Sequence, residues 1–161
     1  MKFIKRKTIR NYIIIISCLF YSNLLFSQEK DTTYVLCGEG ITWPYYYPDL
    51  TYKGGFWEIK QHFNSNYPTK KFQSLKNNTG IITIQFKVNC NGETGDFVLQ
   101  QCDFNYQKTT VNKKITTYLL NQTKLLNDWI PAKDKNGEIV NSHTFFSFRI
   151  KDGVLLEILP K

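Results

Sequence analysis

Apolar and polar residues alternate most regularly between residues 82 and 99. The first half of this stretch places its apolar residues at every second position, namely Ile82, Ile84, Phe86 and Val88. This is the pattern of a strand with one buried face. Asn91-Gly92 supplies the positive-φ pair of a tight turn, and Phe97 and Leu99 face the core from a return strand that ends near Cys102. The pattern predicts a β-hairpin.

Two other stretches carry apolar residues at the spacing of an amphipathic helix. The first runs from about residue 55 to 64 and ends at Tyr67-Pro68. The second ends at Pro131. Its apolar face comprises Val111, Ile115, Tyr118, Leu119, Gln122, Leu126 and Trp129. Between the first helix and the hairpin, residues 70–79 are polar and rich in Asn, which predicts a loop.

A second pair of strands is predicted at the C-terminal end. One strand runs from Ile139 to Ile150 and puts Phe146 and Phe148 on its buried side. Asp152-Gly153 is a two-residue turn signal, after which Val154–Leu159 returns as a fourth strand. The preceding segment, 133–138, is a turn around Asn136-Gly137.

The order helix, strand, strand, helix, strand, strand predicts an α+β fold. The helix between strands two and three makes these two strands run in the same direction, so an antiparallel sheet needs strand three beside strand one. We therefore predict an antiparallel sheet of three to four strands in the order 2-1-3-4, with two helices on one face.

The first 27 residues have the organisation of a secretory signal peptide. Residues 2–10 are basic, residues 12–26 are mostly apolar, and Ser27 precedes a polar stretch. The chain thus divides into a signal peptide at 1–27, an irregular aromatic-rich segment at 28–53 and a domain at 54–161. Alternatives are an uncleaved inner-membrane anchor and a lipoprotein attached through Cys18. We predict an exported protein of the periplasm or outer envelope of a Gram-negative-type bacterium.

Charge adds little to this picture. The formal net charge is +8, but five of the 21 basic residues lie within residues 2–10. Without residues 1–27, 16 basic residues face 13 acidic ones. This modest excess of positive charge is scattered along the sequence and predicts no nucleic-acid partner. We expect the chain to contact a membrane only through its signal or anchor segment or through an attached lipid.

Three cysteines remain after the signal, and export predicts one disulfide and one free thiol. Cys90 lies at the hairpin turn and Cys102 at the far end of the return strand, too far apart to bond to each other. Cys37 must then be half of any internal bridge. We favour Cys37–Cys90 over Cys37–Cys102.

No arrangement of residues predicts catalysis, a cofactor or a metal site. His62 and His143 have no close Cys or His neighbour in sequence, so metal ligation is not predicted. Paired carboxylates and a phosphate-binding glycine loop are absent from the sequence. We therefore expect that the protein is not an enzyme.

A series of short motifs between residues 54 and 150 resembles the TonB C-terminal domain family. They are Gly54-Gly55, Tyr67-Pro68, the strand from Gly80 to Val88, Asn91-Gly92, Trp129-Ile130-Pro131-Ala132, Gly137 with Val140, and Phe146-Ser147-Phe148. The resemblance implies a periplasmic module that binds an extended peptide of an envelope or outer-membrane protein by adding it to a sheet edge.

The chain differs from a full TonB energy transducer. It has no long Pro-rich linker, and its N-terminal apolar segment contains no His. The predicted strand Val154–Leu159 would also occupy the strand-three edge at which the family binds its client. We therefore predict a stand-alone exported TonB-like domain.

Two groups of residues are candidates for partner binding. The outer face of strand three carries His143, Phe145, Ser147 and Arg149, and the aromatic segment contributes Trp43, Tyr45 and Tyr47. The simpler interpretations are a solvated strand face and an aromatic lid over the sheet or helices. Two functions follow: a peptide-binding envelope module related to TonB-dependent transport, or a secreted or surface ligand-binding or structural protein that uses aromatic residues 43–57.

Overall fold

The computed structural model describes residues 34–47 and 49–160. They form a mixed α/β structure with a mostly antiparallel sheet. The strands are β1 (Thr42–Pro44), β2 (Thr51–Tyr52), β3 (Gly80–Val88), β4 (Thr94–Cys102), β5 (Trp129–Ile130), β6 (Asn141–Lys151) and β7 (Val154–Leu159). The helices are α1 (Gly55–Asn66), α2 (Thr69–Gln73) and α3 (Lys113–Lys124). The predicted signal peptide at 1–27 lies outside the described residues.

The main sheet has the predicted strand order. β4 pairs with β3, β3 with β6 and β6 with β7, all antiparallel. This is the order 2-1-3-4 of the four predicted strands. The sequence did not predict β1, which lies parallel to the first three residues of β6. A separate two-stranded sheet joins β2 to β5.

The core lies between one face of the sheet and the helices. Ile82, Ile84 and Phe148 are fully buried on the sheet side. From α1, Phe63 packs edge-on against Phe148 at 4.8 Å between ring centroids. From α3, Leu119 is fully buried in the same cluster. The alternating pattern and the helical apolar faces thus meet as predicted.

The second predicted helix is shorter than its apolar face suggested. It begins after Asn112, whose side chain accepts a hydrogen bond from the Lys114 backbone N–H and so caps the helix. It ends at Lys124. Asn127 and Asp128 follow, both poor helix formers. Trp129 therefore lies in β5, where it is buried against Tyr52 of β2 instead of on a helix.

A short helix also replaces part of a predicted loop. α2 occupies Thr69–Gln73 and buries Phe72, within the segment 70–79 that the sequence indicated as a loop. Five residues with one apolar anchor give no recognisable period, which is why this helix was not predicted. The described part of the chain therefore contains three helices.

Candidate functional site

The outer edge of β6 is covered by two other strands of the same chain. β7 pairs with Ser147–Lys151, and β1 pairs with Asn141–His143. Only residues 144–146 lie between the two covered stretches. The edge at which the TonB resemblance places a client is thus occupied by the chain itself, as the sequence suggested for Val154–Leu159.

Residues 34–47, here called the N-terminal strap, are bound to the sheet at several points. Cys37 forms a disulfide with Cys90, with Cα atoms 6.0 Å apart, which confirms the predicted pairing. Cys102 is the free cysteine of the described residues. Buried Asn141 donates hydrogen bonds from Nδ2 to the carbonyls of Cys37 (2.9 Å) and Ile41 (3.0 Å). Its Oδ1 accepts from the Cys37 N–H at 3.0 Å.

Tyr34 of the strap is half-buried and packs against the sheet at Gly95. Its hydroxyl has no hydrogen-bond partner within the described residues. Burial, followed by the negative charges of Asp96 and Glu93, raises the pKa of Tyr34 to about 12. A neutral phenol is therefore held in this position, which indicates packing and not acid–base chemistry.

The candidate residues on β6 have separate environments. Ser147 is hydrogen-bonded to Thr83 on β3 at 2.7 Å between hydroxyl oxygens. Phe145 lies edge-on to Tyr45 of the strap at 5.9 Å. His143 is exposed and stands in register with Pro44 of β1. The residues share a sheet face without converging on one point.

The aromatic candidates of the strap are partly exposed. Trp43 and Tyr47 form an edge-to-face pair with ring centroids 6.2 Å apart, and Tyr45 forms another with Tyr46 at 5.4 Å. The outer rings, Tyr46 and Tyr47, are mostly exposed, whereas Tyr45 is half-buried. Tyr45 therefore packs over the outer face of the sheet at Phe145, whereas Tyr46 and Tyr47 remain available to solvent.

A groove of about 610 Å³ lies between α1 and β7. Its apolar lining includes Phe56 and Trp57 from α1 and Leu156 and Ile158 from β7. Trp57 is 64% exposed and Leu156 is 56% exposed. Large apolar side chains this exposed, on both walls of one groove, mark an interaction site more often than isolated exposed residues do.

Three charged side chains also line the groove. Arg149 of β6 forms an ion pair with Glu157 of β7 at 3.6 Å and lies over the Phe104 ring at 5.3 Å from its centroid. Lys60 of α1 is the third. Arg149 is thus the one candidate of the β6 face that reaches this groove. The charges leave the groove with a small positive excess.

Sequence reasoning missed Lys60 and Leu156 as groove residues. The signal for Leu156 is in the strand itself, because Val154–Leu159 contains five apolar residues out of six. A strand that buries one face cannot bury them all. Trp57 belongs to the aromatic residues 43–57, but its position opposite β7 depends on the tertiary fold.

Two other kinds of feature are absent from the described residues. They contain no group of three or more His, Cys, Asp or Glu side chains placed to hold a metal ion. None of the described helices has the length and apolar content needed to span a membrane.

Comparison with known proteins gives no relative from which a function could be transferred. No family model, no curated protein and no solved structure matches the chain significantly.

Proposed function

We propose that the chain is an exported protein-interaction module that binds an extended peptide as an additional strand on β7. The observation that carries the proposal is the groove beside β7, with exposed Trp57 on one wall and exposed Leu156 on the other. A peptide lying there would cover both side chains.

Strand addition needs an unpaired edge, and β7 has one. Among the described residues β7 pairs with β6 and with no other strand. Every second residue of an edge strand directs its backbone N–H and C=O away from the sheet, where they can bond to a peptide. Alternate peptide side chains would then point toward α1, where an apolar residue fits against Trp57.

Both edges of the sheet carry a bulge and an ion pair. β4 has a bulge where it pairs with β3 between Gln85 and Lys87. Asp96 at this bulge has a positive φ of 52° and pairs with Lys87 at 2.8 Å. Bulges and charges are the usual protection of an edge strand against pairing. β7 has a bulge of its own, because Leu156 is the extra residue between the Leu155–Ile150 and Glu157–Arg149 pairs. The preference for β7 therefore rests on the apolar groove beside it.

The TonB resemblance is part of the same proposal, with one change. In that family the client pairs with the strand that corresponds to β6. Here β7 lies at that place, so the client edge moves outward by one strand. The proposed partner is an extended segment of an envelope or outer-membrane protein.

Export to the periplasm or outer envelope is supported by the basic and apolar N-terminal sequence and by the Cys37–Cys90 disulfide.

A second candidate function uses the strap. Tyr46 is 68% exposed and Tyr47 57% exposed, beside Trp43. Exposed rings of this kind could bind a ligand of a secreted or surface protein without any role in transport.

An amide-resolved NMR titration of the full chain with a transporter-type TonB-box peptide tests the proposal. A scrambled peptide is the ligand control. We expect shifts along Val154–Leu159 and at the Trp57 indole. Leu156→Lys should weaken binding about tenfold or more, as for a central contact of an interface. Val98→Lys, on the opposite edge at 50% exposure, is the matched control and should bind normally.

The outcomes separate the two candidates. Shifts confined to Trp43 and Tyr45–Tyr47 would favour the strap. Equal weakening by Leu156→Lys and Val98→Lys, or the absence of any shift in β7, would rule out recognition at the β7 edge.

A further inference from the structure

Two segments that are distant in sequence carry half of the positive charge of the described residues. Residues 69–79 and 104–127 contain seven basic residues, all lysines, and no acidic residue. The remaining described residues contain seven basic and 11 acidic residues. Positive charge is therefore concentrated in these two segments, whereas the rest of the described residues carry an excess of negative charge.

The fold brings these two segments together. The Asn112 N–H donates to the Asn77 carbonyl at 2.7 Å, and Asn112 Nδ2 donates to the Lys76 carbonyl at 2.9 Å. Phe72 of α2 packs edge-on against Tyr118 of α3 at 5.5 Å between ring centroids. These contacts fix α2 and the connecting loop beside the first turns of α3.

A cleft of about 750 Å³ lies between them, and three lysines line it. Lys71 comes from α2, and Lys113 and Lys114 come from the start of α3. All three are exposed, and no acidic residue lines the cleft. Within the described residues none of the three takes part in an ion pair. Their charges are therefore not neutralised by an acidic side chain of the described residues.

We infer that this lysine cleft binds the phosphate headgroups of an anionic lipid surface. Lysine is a compact, strongly hydrated point charge, which suits a surface of diffuse negative charge, whereas planar bidentate recognition uses arginine. The cleft contains no arginine, and its one aromatic side chain, Tyr118, is engaged with Phe72 and with the Asn66 carbonyl at 2.7 Å. The stacking platform typical of single-stranded nucleic-acid binding is therefore missing from this cleft.

The inference does not depend on the proposed peptide site. The groove is lined by α1, β6 and β7, and the cleft is lined by α2 and α3 together with Asn112, so the two share no lining residue. A membrane-bound chain could still present β7 to a peptide.

Lysine footprinting on the full chain tests the inference locally. The protein is treated with a water-soluble amine-acylating reagent, alone and with vesicles of equimolar phosphatidylglycerol and phosphatidylcholine. Vesicles of phosphatidylcholine alone are the control. We expect anionic vesicles to protect Lys71, Lys113 and Lys114, and to leave Lys133 and Lys135 reactive. Because reactivity is measured residue by residue, binding through the basic N-terminal residues is distinguished from binding through the cleft.

Charge neutralisation gives a second, quantitative measurement. The triple variant Lys71→Gln, Lys113→Gln, Lys114→Gln should lose on the order of 100-fold in vesicle affinity at low salt, about fivefold for each lysine near an anionic surface. The matched control neutralises three exposed lysines elsewhere, Lys53, Lys133 and Lys135. It should retain most of the affinity.

Three outcomes would overturn the inference. The two triple variants could lose affinity equally, which would indicate net charge alone. Protection could be confined to lysines within residues 2–7. The same cleft lysines could be protected by a single-stranded oligonucleotide and not by the anionic vesicles, which would assign the cleft to nucleic acid.

Discussion

Tyr34 lies so close to Gly95 that a side chain at position 95 would overlap its ring. We expect Gly95→Ala to lower the free energy of unfolding by about 1–3 kcal/mol, the usual cost of overpacking. The measurement is urea denaturation. In a Tyr34→Ala background the same change should cost close to nothing, because the overlapping ring is gone. An equal cost in both backgrounds would contradict the contact.

The disulfide should be a major source of stability. Cys37 and Cys90 are separated by 53 residues, and closing a loop of this length is worth about 4 kcal/mol in the chain-entropy model. We expect Cys37→Ser, or reduction, to lower the melting temperature. Cys102→Ser is the matched control and should change it little. A reductant that left the wild-type melting curve unchanged would argue against the bridge.

Asn141 should be needed for strap docking. Asn141→Ala would leave the Cys37 N–H and the carbonyls of Cys37 and Ile41 without their partner. We expect a loss of about 2–4 kcal/mol, since uncompensated polar groups cost about 1–3 kcal/mol each and the strap can recover part by moving into water. Asn136→Ala, at an exposed turn, should cost less than about 0.5 kcal/mol. Chemical denaturation of both variants measures the difference.

The pairing of β7 with β6 should be stable in solution. Ile158 is 5% exposed and packs into the core, so β7 cannot leave without exposing it. We expect β7 amides that bond to β6 to exchange with deuterium about as slowly as those of β3. The turn at 133–138 is the reference for fast exchange. Exchange in β7 at the rate of that turn would mean that the β6 edge opens readily.

Tyr34 should make stability depend on pH above 10. Its pKa is raised from 10.0 to about 12, so the unfolded chain ionises first. The stability conferred by the neutral phenol is complete below pH 10 and is lost as the pH rises toward 12. Tyr34→Phe should flatten the fall in unfolding free energy over this range. Parallel curves for the two proteins would contradict the assignment.

Local patterns predicted those elements that a few neighbouring residues determine. The alternation from Ile82 to Val88 and the turn at Asn91-Gly92 sufficed for the β3–β4 hairpin, and Asp152-Gly153 for β6–β7. The sheet order followed from strand direction. The predicted extent of α3 was wrong, because Leu126 and Trp129 continue the helical spacing of apolar residues although the helix has already ended at Lys124.

Features that depend on distant contacts could not be predicted from these patterns. β1 is a strand because Thr42–Pro44 meets Asn141–His143, about a hundred residues away. The groove needs α1 and β7 together, and the lysine cleft needs α2 and α3. Cys37–Cys90 was an exception, since elimination among three cysteines left two pairings and the accessible position of Cys90 at a turn favoured this one.

The same disulfide determines how the domain would carry mechanical tension. A pull on the chain before Cys37 passes through the sulfur atoms to Cys90 and bypasses residues 38–89. That bypassed loop contains α1, α2, β1, β2 and β3. If the chain before Cys37 is attached to an envelope and a partner pulls on the C-terminal end, the load runs from the β3–β4 turn to β7. The α1 wall of the groove then carries no load, whereas its β7 wall is under tension.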